Sequence, residues 1–136
     1  MASDRIRGNP KGRIVLLDTS AIFMVFEHSI RLTDELDRLL GLYSIKILEE
    51  IKKEIESLLN HGTGKQKQLA KIAVKFINQY EIIPNVSQDT VDDTLFFAAK
   101  KLSAVVVTND VFLKKKLIEH GIQTICLRGK NRLMIC

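Results

Sequence analysis

VDDTLFFAAKKLSAVVVTND, residues 91–110, decides the reading of this chain. Its Phe- and Ala-rich part, Thr94 to Leu102, reads as a helix with Asp92 and Asp93 at its start. Ala104 to Val107 is almost entirely β-branched, as a buried strand is, and it stops at Thr108-Asn109-Asp110. A helix that feeds the chain straight into a buried strand is half of a βαβ unit. The same alternation continues outward. Toward the N-terminus, Ile14 to Leu17 is another short apolar run, ending abruptly at Asp18-Thr19-Ser20, and we read it as the central strand. Toward the C-terminus, Val111 to His120 is a helix capped by Gly121, and Gln123 to Leu127 is the next strand.

The intervening segments are less sharply written. After the apolar stretch Ala21 to Phe26, leucines at 36, 39 and 40 give Thr33 to Leu40 helical spacing, with Gly41 as its stop. A strand is expected near Leu39 to Tyr43 or just beyond. Ser44 reads as the N-cap of a helix whose apolar positions Ile45, Leu48, Ile51, Ile55, Leu58 and Leu59 recur every three or four residues. Asn60 to Gly64 is a loop, and Lys65 to Tyr80 is an amphipathic helix with Leu69, Ile72, Ala73, Phe76 and Ile77 on one side. Its other side carries Lys65, Lys67, Lys71 and Lys75. Glu81 to Ile83 is a short strand stopped by Pro84, Ser87 to Asp93 is a loop, and the tail RGKNRLMIC forms either an edge strand or a loosely packed end. Strands alternating with helices predict an α/β fold, a three-layer α/β/α sandwich around a central parallel sheet.

At 136 residues the chain has the length of one domain, with residues 1–12 expected to be a flexible extension and 13–136 the domain. Hydrophobic residues at 46% and charged residues at 27% exclude a disordered chain. No apolar run approaches the roughly 20 residues of a membrane span, and MASDRIRGNPKGR lacks the apolar stretch of a secretory signal, so a cytoplasmic protein without membrane contact is expected. Cys126 and Cys136 have no zinc-type spacing, and neither a zinc site nor a disulfide is expected. Twenty-one Lys and Arg against 16 Asp and Glu give a net charge of +5, which favours a polyanionic partner.

Ligands of an open parallel sheet bind beyond the carboxyl ends of its strands, where the strand order reverses. Asp18 and Asp110 stand at two such ends. A right-handed crossover brings Asp92 and Asp93 to the same rim. Glu50 lies in its helix on the side away from the apolar stripe. Each acid also has a plainer use: Asp18, Asp110 and Asp92 or Asp93 are good helix caps, and Glu50 shares its helix with Glu49, Glu54 and Glu56. Four acids meeting at one rim would repel one another unless a cation lay between them. Oxygen ligands without His or Cys point to Mg²⁺ or Mn²⁺ rather than zinc. A phosphotransfer enzyme of the haloacid type would need a second Asp two residues after Asp18, where Ser20 stands.

In order and spacing, LLDTSA (16–21), ILEEIKKEIE (47–56), VDDTLFFAAKKLSAVVVTND and TICLRGKNRL (124–133) resemble the segments of PIN-domain ribonucleases. The resemblance implies a metal-binding catalytic cluster of Asp18, Glu50, Asp92 and Asp110, with Glu49 and Glu54 as alternatives to Glu50. It implies hydrolysis of RNA phosphodiesters, in which two ions about 3.5–4 Å apart stabilise the attacking and leaving oxygens. Ser20, Asp93 and Thr108, with Thr19 and Asn109, are candidates to support the acids. Lys65, Lys67, Lys71 and Lys75, together with Lys114, Lys115, Lys116, Arg128, Lys130 and Arg132, are candidates for RNA phosphate contacts. Few aromatic residues are available to stack bases. The doubled Asp and the basic tail look most like the archaeal and eukaryotic branch related to small-subunit rRNA processing, rather than the VapC-type toxins. The partners implied are RNA, a second copy in a homodimer, and either an antitoxin or a ribosome-assembly factor. The competing reading is a non-catalytic RNA-binding or ribosome-assembly module.

Overall fold

A computed structural model describes residues 12–136, so the extension expected at 1–12 lies, Gly12 apart, outside the described residues. The elements are β1 (Arg13–Leu17), α1 (Thr19–Glu27), α2 (Leu32–Leu40), β2 (Tyr43–Leu48), α3 (Glu49–His61), α4 (Gly64–Ile77), β3 (Glu81–Ile83), α5 (Val91–Leu102), β4 (Val105–Val107), α6 (Val111–Glu119), β5 (Thr124–Arg128) and β6 (Arg132–Ile135). One sheet runs β3-β2-β1-β4-β5-β6. Its first five strands are parallel; β6 pairs antiparallel with β5. The sheet is therefore mixed at one edge, because the tail returns through a tight hairpin rather than a crossover.

The connections explain where the site must lie. From β1 the chain steps outward to β2 and β3, then crosses back to β4 on the other side of β1 and continues outward to β5. Right-handed crossovers place α1 to α4 on one face and α5 and α6 on the other, which makes three layers. The strand order reverses between β1 and β4, whose Leu17 and Val107 are partners. Val15, Leu16, Val105, Val106 and Val107 are almost wholly buried between these layers, each worth about 1.5–3 kcal/mol in removal of apolar surface from water. The carboxyl ends of β1 and β4 are thus a rigid pair of posts.

Two sequence expectations change, and one left open between alternatives is decided. Ser44 to Leu48 is strand, not the first turn of a helix: Ile45 and Ile47 alternate inward along β2, and α3 starts at Glu49 with Leu48 as its N-cap and no side-chain cap from that residue. α3 instead borrows a cap, since Asn85 Oδ1 accepts from the Glu50 amide at 2.9 Å. The tail is an edge strand. With it in place, Cys126 and Cys136 are joined by a disulfide across the β5–β6 hairpin, Cα–Cα 6.1 Å, against the expectation of none. No helix among the described residues is long and apolar enough to cross a membrane.

Candidate active site

Asp18 follows β1, caps α1 and is 6% exposed. Its Oδ1 accepts from the Ala21 amide at 2.7 Å and from Ser20 Oγ at 2.8 Å, and its Oδ2 accepts from Thr108 Oγ1 at 2.7 Å. Thr108 is fully buried and in turn accepts from the Asp110 amide at 3.0 Å. Ser20 Oγ also accepts from the Asn109 amide at 2.9 Å. These contacts stitch the end of β1 to the end of β4. Asp110 caps α6, with Oδ1 accepting from the amides of Phe112 at 2.9 Å and Leu113 at 3.1 Å. Capping and site membership are therefore not alternatives: both acids cap a helix and face the same rim.

A cleft of about 270 Å³ opens there, lined by Asp18, Thr19, Ser20, Phe23, Glu54, Leu58, Val91, Asp92 and Asp110. Asp92 faces the cleft and makes no hydrogen bond among the described residues. Asp93 turns away to an ion pair with Lys116 at 2.5 Å, and Thr90, rather than either Asp, caps α5. Of the second motif, the cleft receives Glu54, whose carboxylate accepts from the Thr19 hydroxyl. Glu50 does not line it. One turn earlier on α3, Glu50 accepts from Ser87 Oγ at 2.8 Å and is tied to the loop between β3 and α5. Glu49 is nearer Lys53, at 4.0 Å.

The electrostatics of the cleft are those of crowded acids. Burial pushes the Asp18 carboxyl up to about 6; the Thr108, Ala21 and Ser20 hydrogen bonds oppose the rise, and the Asp110 charge adds to it. Asp92 is raised by burial, then by Asp110, with Lys116 working against the rise. Asp93 is lowered, chiefly by its bond to Lys116. The donor set fits a hard divalent cation: carboxylate oxygens only, two of them on an Asp92 free of hydrogen bonds, and a cluster whose repulsion a positive charge would relieve. As the side chains stand, no three among the described residues are close enough together to hold one ion.

None of the lysine candidates is part of the cleft lining, although Lys116 is near enough for its charge to act on Asp92. Lys65, Lys67, Lys71 and Lys75 are all exposed on α4, which packs on α3 and α1. Lys65 pairs with Glu27 at 3.4 Å, and the other three carry no side-chain partner among the described residues. Lys116 is engaged by Asp93 and by the Phe96 ring, 5.0 Å from its centroid.

The family model described as PIN-like domain matches residues 15–130. The chain belongs to the PIN-like domain family. Ribonuclease VapC9 of Archaeoglobus fulgidus is 30% identical over 135 residues, 99% of this chain and 97% of that protein. Ribonuclease VapC4 of Methanocaldococcus jannaschii is 32% identical over 120 residues, 86% and 92% of the two chains. Among solved structures, the PIN domain endonuclease Utp24 shares the fold with a TM-score of 0.73 at 22% identity, over 90% of each chain. PAE2754 from Pyrobaculum aerophilum gives 0.50 at 18% identity, over 76% of this chain and 79% of that one. The PIN-like fold agrees with the α/β expectation.

Glu54 is the residue whose place the sequence reading left open. Glu50 and Glu54 are one helical turn apart and share a side of α3, so spacing alone does not separate them. What separates them is the Asn85 to Ser87 loop, which occupies Glu50.

Proposed function

We propose that this PIN-like domain is a ribonuclease that hydrolyses RNA phosphodiesters at the cleft between β1 and β4. The observation that carries this reading is the convergence of Asp18, Asp92, Asp110 and Glu54 on one cleft at the switch point of the sheet. The two VapC ribonucleases, similar over nearly the whole chain, support the substrate class. Asp18, Asp92, Asp110 and Glu54 would hold Mg²⁺ or Mn²⁺, with Glu50 behind them on α3. The chemistry that an ion held there would supply is stabilisation of charge on the scissile phosphate and a lowered pKa for a bound water.

The chain's own residues have distinct tasks. Thr108 and Ser20 fix the Asp18 carboxylate by donating to both its oxygens, so that its rotamer is set before substrate arrives. Thr19 does the same for Glu54. Phe23, Leu58 and Val91 give the cleft apolar walls that limit water around the reacting phosphate. Lys67, Lys71 and Lys75 contribute to holding the phosphate backbone, and a net charge of +5 steers the polyanion. The likeness to the two VapC ribonucleases supports a toxin-type protein with an antitoxin partner, and the doubled Asp92-Asp93 and the basic tail support rRNA processing as the other setting; a second chain co-purifying with the native protein distinguishes them.

The test is cleavage of single-stranded RNA by protein purified free of other nucleases. Asp110→Asn should abolish Mn²⁺-dependent cleavage while RNA binding without metal survives. Equal cleavage by wild type and Asp110→Asn would assign the activity elsewhere and leave an RNA-binding module.

A further inference from the structure

A second polar pocket, of about 400 Å³, lies between the α1–α2 turn and the β5–β6 turn, lined by Ser29, Arg31, Asp34, Glu35, Asn131 and Arg132. Its floor is a buried acid that is already spent. Glu35 Oε1 accepts from Arg38 and from the Leu133 amide, each at 2.8 Å, and Oε2 accepts from Arg132 Nε at 2.9 Å. Two arginines on one carboxylate leave a surplus positive charge. Among the described residues Arg132 is gripped through Nε alone, which fixes its guanidinium and leaves both terminal nitrogens without a partner there. Across the pocket, the Arg31 guanidinium has no partner among the described residues. Arg128, the last residue of β5, and Lys130 on the turn after it stand exposed beside the pocket, and His28 Nδ1 pins that turn through the Lys130 carbonyl at 3.1 Å. The lining itself sets two arginines against two carboxylates, of which Asp34 has no partner among the described residues, and the positive surplus comes from Arg38 behind Glu35 and from Arg128 and Lys130 at the edge of the pocket.

The pocket is on the same rim as the cleft. β5 runs parallel to β1 two strands away, so their carboxyl ends are about 10 Å apart laterally. α1 spans the gap: its N-terminus carries Ser20 of the cleft, and Ser29 of the pocket follows its C-terminus, about 13 Å along the helix axis.

We propose that Arg31 and Arg132 form a phosphate subsite that holds the RNA strand away from the scissile bond, with α1 as the spacer between the two. The proposal rests on the ribonuclease reading and adds the direction in which the strand leaves the cleft. Arg132 is preorganised by Glu35, and Arg31 closes on the same phosphate from the helical side.

Binding in EDTA to a dinucleotide and to a longer single strand, across salt, tests it. Arg31→Gln should weaken the longer strand severalfold and flatten the slope of log K against log salt by about 0.7, one phosphate contact, with the dinucleotide unchanged. Arg132→Gln should do the same, and Arg31→Gln, which breaks no ion pair, keeps the result interpretable should Arg132→Gln unfold. Unchanged affinity and slope in Arg31→Gln, or equal loss for both RNA lengths, overturns the subsite. Inorganic phosphate binding at this pocket with no dependence on RNA length would assign it to a small anion and also overturn it. Wild type binding no RNA of any length would instead sink the ribonuclease reading, so the two failures are distinguishable.

Discussion

Asp18 and Glu35 are buried alike, 6% and 7% exposed, and burial drives both carboxyls toward the neutral form. They end at opposite extremes. Asp18 receives only neutral donors and faces the charge of Asp110, and it stands at about 6. Glu35 receives Arg38, the Leu133 amide and Arg132, which overcome its burial and hold it at about 2. Glu35 is satisfied by the protein itself and fastens α2 to β6. Asp18 is positioned by the protein but not neutralised. A buried acid with a raised pKa, held rigidly in a cleft, is a functional-site candidate, and under the proposed function its missing cation is the metal.

The largest effect expected from this contrast is at Glu35. Glu35→Ala strands two arginines and the Leu133 amide and should cost about 3 kcal/mol, toward the low end for a broken buried pair because the arginines are half-exposed. Thermal unfolding should show a fall on the order of 10 °C. A loss within 1–2 °C would mean that β6 is held by its ladder alone. The pH dependence has a definite sign. Because the folded value lies below the ordinary 4.5, Glu35 contributes stability fully above pH 4.5 and loses it as pH falls toward about 2. The gap in melting temperature between wild type and Glu35→Gln should therefore close across that window; a constant gap would contradict the assignment. Asp18, raised above its ordinary 3.8, has the opposite linkage, and ionising it costs stability as pH rises through about 6.

Thr108→Val comes next. It leaves the Asp110 amide without its partner and Asp18 Oδ2 with Ser20 Oγ alone, at a cost of about 1–3 kcal/mol. Because it loosens the acids relative to one another, cleavage should fall by more than RNA binding does. Equal loss of both would make Thr108 merely structural. The smallest effect belongs to α4: replacing Lys67 and Lys71 together should leave stability within about 0.5 kcal/mol and lower the salt slope of RNA binding by about 1.4. An unchanged slope would remove this face from the interface.

The contrast also shows what the sequence could carry. β1, α5 and β4 were legible because fully buried strands of a parallel sheet are continuous apolar runs, and the posts under Asp18 and Asp110 came with them. The β2–α3 junction was not, since Ile45, Leu48 and Ile51 satisfy helical spacing while Ile45 and Ile47 satisfy the strand period. No turn residue divides the two, and the cap of α3 arrives from Asn85, 35 residues away. Glu54 was hidden behind Glu50 for a related reason: the two share a helix side, and only the loop at Ser87 tells them apart. The Arg31–Arg132 pocket and the Cys126–Cys136 bond both depend on the tail becoming β6, a choice the apolar end of the chain left open.

Thermal unfolding of wild type and Asp18→Asn across a Mn²⁺ titration, with Glu35→Gln as the control, shows whether Asp18 holds an ion. Without metal, Asp18→Asn should melt at or above the wild-type temperature, because removing a crowded charge relieves repulsion. With rising Mn²⁺ the wild type and Glu35→Gln should be stabilised progressively, about 2.7 kcal/mol at a hundredfold excess over Kd, and Asp18→Asn far less. Equal shifts in all three proteins would show that the ion is not held at this cleft and that Asp18 is not its ligand.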